Sequence, residues 1–326
     1  MHILVTGGAG FIGSHFVHRM LKAPDVETIT VLDSLTYAGH RGNLGDLELT
    51  GKLAFVHGDI LDVLLVDRLM AAHDMVVHFA AESHVDRSYA APGTFVTTNV
   101  MGTQTLIDAA TRHSITKFVH VSTDEVYGPL AEGRAAEDAP LLPTVPYAAS
   151  KAASDLVALS AHRTYGTRVC VTRSSNNYGP RQYPEKVIPF FVARLLTGRP
   201  VTLHDRGQHV RNWLHVEDNC AGIEAVLRRG RPGEVYNLGG DTDQTGLELA
   251  QRLIRLCDAN RDSIAYVPDR QSNDIRYAMD CSKAAGELGY RPQRSFDAGL
   301  AETVAWYRDN PQQWTPLLDR EGLAHV

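Results

Sequence analysis

Tyr147 and Lys151 stand four residues apart in the segment PYAASKAASD, which reads as a helix start followed by small residues. That spacing puts a phenol and an ammonium on one helical face. There the cation lowers the phenol pKa from its ordinary value of about 10. A phenolate so placed takes a proton from a hydroxyl while a hydride leaves the carbon that bears it. Just upstream, HVSTDEVYG at 120–128 sets Asp124 beside Glu125 where the apolar run 117–121 gives out. Burying an unpartnered carboxylate costs roughly several kcal/mol, so an ordinary Asp-Glu pair belongs on a solvated turn. Two acids at the end of a strand expected to be buried need a reason.

Hydride chemistry needs an acceptor. The segment VTGGAGFIGSH follows the first apolar run and opens a helical pattern, with Gly7, Gly10 and Gly13 spaced as G-x-x-G-x-x-G. Gly8 with Gly10 and Gly13 also satisfies G-x-G-x-x-G. Glycine at these points permits a tight turn, close approach of backbone to a pyrophosphate, and close packing of helix on strand. Asp33 ends the second apolar run, 20 residues after Gly13. A carboxylate there accepts hydrogen bonds from the adenosine ribose hydroxyls and repels a 2′-phosphate, so NAD is expected rather than NADP.

The elements that carry these residues are legible as short β-branched runs at 2–6, 28–32, 53–56, 75–79, 117–121 and 168–172, separated by helix-length segments. Such alternation predicts an α/β fold, a Rossmann-type doubly wound parallel sheet covered by helices on both faces. After about residue 175 the texture changes, with Asn and Pro clustered in SSNNYGPRQYPEKVIP and short elements such as 201–204 and 234–238. Residues 1–175 are read as the cofactor-binding domain and 176–326 as a smaller mixed substrate-binding lobe, with parts of 205–240 returning to the main sheet as a helix over 214–227 and a strand over 235–239.

Composition bounds the function. A chain of 326 residues, 44% hydrophobic and 21% charged, has ample length for a large core. The formal charge of −6 argues against a general nucleic-acid binder. No stretch approaches the roughly 18–20 apolar residues of a membrane span, and a cytoplasmic location is the expectation. Cys170, Cys220, Cys257 and Cys281 are far apart and form no CxxC pair, which suggests neither a metal site nor a disulfide framework.

Together these residues resemble the extended short-chain dehydrogenase/reductase family, whose members rework nucleotide sugars. The resemblance runs from Met1 to about Tyr307. It extends to Phe11 and Ile12 in the glycine turn, Asp59-Ile60 after a strand, Phe79-Ala80-Ala81, and Thr98-Asn99 in the following helix. By the resemblance all of these lie at the cofactor, as does Asn177, and Thr123 is the catalytic hydroxyl. Simple epimerases of the family usually place small or hydroxyl residues after that position. Thr123-Asp124-Glu125, AESHVDRS at 81–88, NNYGPRQYPEKVIP at 176–189 and Arg211-Asn212-Trp213 are instead closely similar to the dTDP-glucose 4,6-dehydratases.

That resemblance implies oxidation of the glucose C4 hydroxyl, removal of the C5 proton with loss of water from C6, and return of hydride to C6. Glu125 is then the base and Asp124 the acid, which demands opposite protonation states of neighbouring carboxyls. Thr123 holds the C4 oxygen beside Tyr147, and Lys151 anchors the nicotinamide ribose. Ser83, Asn176, Lys186 and Arg211 hold the substrate, while Asn237, Asn273, Arg276 and Tyr277 line its diphosphate and base. Lys186, Arg211 and Arg276 are of a chemistry suited to a diphosphate. Asn212 and His215 are read as structural. Relatives pair two helices across a two-fold axis in a four-helix bundle, so a homodimer through 92–113 and 147–165 is expected.

The pattern departs from the family at Ser272-Asn273-Asp274, where His usually precedes the aspartate, and at Ser174, where Cys is usual. On the same scaffold the alternatives are a nucleotide-sugar epimerase or a UDP-glucuronate decarboxylase. The latter resembles this chain around Glu125 but generally lacks the neighbouring acid. A dinucleotide-binding redox sensor or scaffold would not need Thr123, Asp124, Glu125, Tyr147 and Lys151 together.

Overall fold

Six of the β-branched runs become parallel neighbours: β1 (His2–Thr6), β2 (Thr28–Asp33), β3 (Leu53–His57), β4 (Met75–His78), β5 (Lys117–Thr123) and β6 (Val169–Ser174). The computed structural model describes residues 1–260, 262–268 and 274–320. A seventh strand, β10 (Val235–Leu238), joins the edge, giving the order β10-β6-β5-β4-β1-β2-β3 with every pairing parallel. Inner strands such as β5 and β6 are buried along almost their whole length, because helices cover both faces of a parallel sheet.

Alternation along β1 divides the core. Ile3 and Val5 face the helices α1 (Phe11–Met20) and α8 (Val216–Arg229), packing with Phe16, Met20, Ile223 and Val226. Leu4 faces α2 (Val63–Ala71), α5 (Gly102–Arg112) and α6 (Pro146–Tyr165), among Val66, Leu106, Ile107 and Leu159. Each Å² of apolar area buried in these two layers favours folding by roughly 25 cal/mol.

The smaller lobe is built on a mixed three-stranded sheet, β11-β9-β7, from β7 (Asn176–Tyr178), β9 (Val210–His215) and β11 (Thr242–Thr245), with β9 antiparallel to β11 and parallel to β7. A two-stranded sheet pairs β8 (Val201–His204) with β12 (Ile264–Val267). Its core gathers α7 (Val187–Leu196), α9 (Gly246–Leu256), α11 (Phe296–Asp309) and α12 (Pro311–Arg320) around Phe191, Leu253 and Tyr307.

Two local differences from the sequence reading have physical causes. The pattern 214–227 is not wholly helical: β9 continues through His215, whose side chain then caps α8 by accepting from the Glu217 backbone N–H. Beyond the stretch 205–240, α10 (Ser282–Leu288) also returns to the large sheet, where Ala284, Leu288 and Tyr290 join its core. The helical stretch from Pro92 is continuous to Arg112 but widens into π geometry over Val96–Met101, between α4 (Pro92–Phe95) and α5. Such bulges redirect a side chain inward, and here Asn99 is the one turned into the interior. Among the described residues no helix is long and apolar enough to cross a membrane.

Candidate active site

The strand ends of β1, β2, β4, β5 and β6 open into one cleft of ≈ 1140 Å³ that continues under α7 and α12. Ligand pockets run to roughly 300–1,000 Å³, so this cleft is at the large end and has room for an extended dinucleotide. At its β1 end Gly7 has φ +71, and a Cβ there would meet the Ala80 backbone N at 2.5 Å. A Cβ on Gly13 would collide with the Gly7 carbonyl oxygen, so helix α1 approaches the turn as closely as a backbone can. Asp33 lies at the end of β2, its Oδ2 accepting from Ala9 N and its Oδ1 from Leu35 N, both at 2.9 Å. Burial pushes its carboxyl up and these backbone bonds act against that shift. A glycine cradle at a helix start with an acid at the second strand end fits a dinucleotide with free ribose hydroxyls.

At the middle of the cleft β5 ends in Thr123 and the chain turns through a 3-10 helix, Asp124–Tyr127. The Thr123 hydroxyl caps this turn, accepting from Glu125 N and donating to Asp124 Oδ1, each at 3.3 Å. Asp124 is only 3% exposed, so the pair is not on a solvated turn. Its Oδ2 is buried without a hydrogen-bond partner among the described residues. Burial first, and then Glu125, pushes the Asp124 carboxyl up to about 7 against the attraction of Arg211. Burial also raises Glu125, while Arg211 and Lys186 pull it down. Both carboxyls are thus raised by burial; Arg211 acts on each, and Lys186 acts on Glu125, so the two neighbours sit in different surroundings, as separate acid and base roles require.

Tyr147 and Lys151 rise from the first turns of α6, which starts at Pro146, where a missing N–H is tolerated. The expected influence of the cation on the phenol is not what this structure has. Lys151 Nζ donates to the Val121 carbonyl at 2.8 Å, and the Tyr147 phenol is pushed above its ordinary value by burial and by Glu125, with the Thr123 hydroxyl opposing. Lys151 itself is pushed down to about 8 by burial, with Asp155 opposing. Spacing of four gave the shared face, but not the direction in which a four-carbon side chain finally points.

Along the same cleft lie Ser83, Asn176, Asn177, Lys186, Arg211 and Tyr277. Lys186 Nζ donates to the Ser83 carbonyl at 2.8 Å, and the Arg211 guanidinium sits 4.7 Å above the Tyr277 ring. Asn176 Oδ1 and Asn177 Oδ1 are buried with no partner among the described residues, as befits groups facing a ligand cavity. The residues expected at the cofactor, Gly10, Phe11, Ile12, Asp59, Ile60, Ala80, Ala81 and Thr98, line it too.

Three expected residues do not line the cleft. Asn99 is fully engaged beneath it, exchanging hydrogen bonds with the Glu82 backbone at 2.8 and 3.0 Å and donating to Ser150 Oγ at 2.9 Å. Asn237 is wholly buried, accepting from Tyr127 Oη at 2.8 Å and donating to the Ala135 and Asp280 carbonyls, each at 3.0 Å. Arg276 turns to the Gly133 carbonyl at 3.0 Å. Asn and Arg carry the same donors whether they hold a ligand or a loop, so type and spacing alone did not separate the two. Asn273 lies outside the described residues.

Residues without an assigned role in the sequence reading also meet here. Tyr37 Oη donates to Glu185 Oε1 at 3.1 Å, and the Arg87 guanidinium stacks 3.7 Å from the Tyr37 ring centroid. Glu185 is 5% exposed and lies 3.7 Å from His84 Nε2 and 3.5 Å from Lys186 Nζ. AESHVDRS and YPEK drew attention as strings, but nothing in either said that they converge on residue 37.

Comparison with known proteins agrees with this geometry. The family described as GDP-mannose 4,6 dehydratase matches residues 4–303. A dTDP-glucose 4,6-dehydratase of Streptomyces antibioticus is 56% identical over 98% of this chain and 96% of its own. The crystal structure of DesIV, the dTDP-glucose 4,6-dehydratase of Streptomyces venezuelae, was solved with NAD and TYD bound. It superposes with a TM-score of 0.96 at 52% identity, covering 97% of this chain and all of that one. The dTDP-glucose 4,6-dehydratase of Bacillus anthracis in complex with NAD follows at 0.91 and 44%, covering 97% of this chain and 99% of its own. Full-length identity at this level, on a cleft with these side chains in place, means that the chain belongs to the dTDP-glucose 4,6-dehydratase family of extended short-chain dehydrogenase/reductases.

Proposed function

We propose that the protein catalyses the NAD-dependent dehydration of dTDP-glucose to dTDP-4-keto-6-deoxyglucose. The observation that carries this reading is the buried Asp124 beside Glu125 at the end of β5, two adjacent carboxyls that line the cleft with Thr123 and Tyr147. A plain epimerase has no use for the second carboxyl.

The glycine turn at 7–13 and Asp33 would hold NAD, which when bound would supply the hydride acceptor and donor for the sugar. Thr123 holds the C4 oxygen. Tyr147, ionised by the positive nicotinamide that bound NAD would bring, against the burial that raises its pKa, accepts the C4 hydroxyl proton. Glu125 removes the C5 proton, which the neighbouring carbonyl acidifies, and Asp124 protonates the departing C6 hydroxyl. Burial, then Glu125, raises the Asp124 carboxyl to about 7, so it can carry the proton it gives at neutral pH. Lys151 fixes the nicotinamide ribose. Ser83 and Asn176 orient the hexose, and Lys186 and Arg211 face the diphosphate.

The working form is proposed to be a homodimer located in the cytoplasm. Val96 and Met101, on the helical stretch preceding α5, and Leu156 on α6 are 51–55% exposed. Water-facing apolar groups on two helices that pack together suit a four-helix interface between copies. A monomer mass independent of concentration would refute it.

Incubating purified protein with dTDP-glucose, without added NAD, tests the function. Loss of one water from the product mass and the alkaline absorbance of a 4-keto sugar are expected. Silence with NAD also added, and conversion of UDP-sugars in its place, would overturn the reading.

A further inference from the structure

Arg181, in the segment GPRQ that follows β7, lines the cleft but has no part in the chemistry set out above. Its loop is docked on α1. The Pro180 carbonyl accepts from His15 Nε2 at 3.0 Å, while His15 Nδ1 faces Glu217 Oε1 at 2.7 Å. Arg181 Nη2 lies 3.5 Å from both nitrogens of that ring, and Nη1 lies 3.0 Å from His18 Nε2. Nη1 also donates to the Asn43 carbonyl at 3.3 Å, and the Asn43 side chain donates to the Ala9 carbonyl at 2.9 Å. Ala9 belongs to the glycine turn, and Phe11, the first residue of α1, has its ring 5.6 Å from that of His15. The guanidinium therefore stands beside the opening turns of α1, next to the glycine turn.

What this cation lacks is an anion. Among the described residues no carboxylate lies within ion-pair distance of it, whereas Arg87 and Lys186 in the same cleft face Glu185 at 3.9 and 3.5 Å. Glu217 acts on it through space, but that carboxylate is bonded to His15. The His18 imidazole is pushed down by burial, so it is uncharged at neutral pH. Arg181 Nε meets no acceptor among the described residues. A half-buried charge is costly unless something of opposite sign answers it. The backbone is held so as to present this one: Arg181 has φ +65, uncommon for any residue but glycine. Next to it, Gln182 Nε2 donates to the Asn177 carbonyl at 2.9 Å and the Gln182 carbonyl accepts from Tyr307 Oη. Left-handed residues pinned in this way cluster at ligand clamps.

We propose that Arg181 is a cofactor-binding residue, its guanidinium pairing with the diphosphate of NAD seated on the glycine turn. Nε and Nη2 form one edge of a planar fork, of the kind that meets two phosphate oxygens at once. Backbone N–H groups at the start of α1 face a diphosphate from one side. Arg181, carried on the loop after β7, closes on it from another. The inference rests on NAD as the cofactor, and its test does not depend on turnover.

The experiment measures release of NAD on dilution of the NAD-loaded protein, for the wild type, Arg181→Met and Arg181→Lys. Loss of a charge-assisted hydrogen bond weakens a bound ligand roughly 10- to 100-fold, mostly through its off-rate. R181M is expected to release NAD faster by that factor. R181K, which keeps the charge without the fork, falls between R181M and the wild type. Binding of ADP and of adenosine to the NAD-free full chain, with dTDP present to fill the sugar-nucleotide end, then locates the lost contact. R181M weakens ADP by a similar factor and leaves adenosine unchanged, because only ADP carries the diphosphate. Affinity for dTDP itself stays at the wild-type value.

NAD release unaltered in R181M would overturn the proposal. So would equal weakening of ADP and adenosine, which would make Arg181 a structural prop. Lost affinity for dTDP with NAD retained would give the guanidinium to the substrate's diphosphate and overturn it as well. Should R181M fail to fold, Arg181→Gln carries the same expectations, and unaltered release there counts against the proposal equally. Wild-type protein inert toward dTDP-glucose, with faster NAD release in R181M, would sink the proposed function and leave this inference standing. Full turnover with release unaltered in R181M does the reverse.

Discussion

The Tyr37 hydroxyl donates to Glu185 across 3.1 Å, joining the loop after β2 to the segment that leads into α7, 148 residues later. Arg87, from the short helix Val85–Ala90 that follows β4, stacks on the Tyr37 ring and joins the same clasp. Cofactor-side and substrate-side walls are thus tied at one point over the cleft. Tyr37→Phe removes one hydrogen bond to a buried carboxylate, worth about 1–3 kcal/mol. A melting temperature lower by a few degrees and a raised KM for dTDP-glucose are expected, and unchanged melting would refute the clasp as a stabilising contact.

Asp124→Asn should separate the acid from the rest of the machinery. It keeps the shape and loses the proton to give. Dehydration is expected to slow by roughly 10²–10⁴-fold, with the reduced cofactor accumulating after C4 oxidation. Product formed at the wild-type rate would remove Asp124 from the mechanism.

The same residue has a cost in stability. Its folded pKa, about 7, lies above the ordinary carboxylate value of about 4, so the folded state holds the proton more tightly than the unfolded chain. Stability linked to this group is complete below about pH 4 and is lost as pH rises through 7. Asp124→Asn is accordingly expected to melt higher than wild type at pH 8, the difference shrinking on acidification. Calorimetric melts at the two pH values decide it.

Gly7→Ala introduces a methyl group against the Ala80 backbone in a left-handed conformation, φ +71. Backbone strain of about 1–3 kcal/mol falls on the phosphate turn. Purified G7A is expected to carry little NAD, read from absorbance after denaturation. Stoichiometric cofactor in this variant would mean that the turn is more forgiving than its geometry.

Asn237→Ala distinguishes a ligand contact from a structural one. Its side chain satisfies Tyr127 and two buried carbonyls rather than lining the cleft. Stability should fall by about 2–4 kcal/mol while KM for dTDP-glucose stays near the wild-type value. A raised KM in a protein of unchanged melting temperature would return Asn237 to the substrate site.

Much of the architecture was legible because strands buried on both faces need unbroken apolar runs, and parallel strands need helices between them. The glycine turn was equally legible, since only glycine tolerates such approach of backbone to backbone. Less visible was anything depending on side-chain direction. Lys151 shares a face with Tyr147, as the spacing predicts, yet its ammonium reaches Val121. Asn99, Asn237 and Arg276 resemble ligand-holding residues and are used to hold loops and turns. Tyr37, Arg87 and Glu185 meet only because two loops and the helix Val85–Ala90 converge near the strand ends, and no local pattern encodes that.

The edge strand β10 comes from sequence beyond β7, β8 and β9, and α10 returns to the large sheet after β12. The polypeptide therefore laces the two halves together instead of stringing them in series. No single cut divides the gene into interchangeable modules: a recombination event after residue 175 would exchange the sugar site and take the sheet's own edge with it. A change of the sugar site that leaves the large sheet intact therefore calls for substitutions within loops, not an exchange of everything after residue 175.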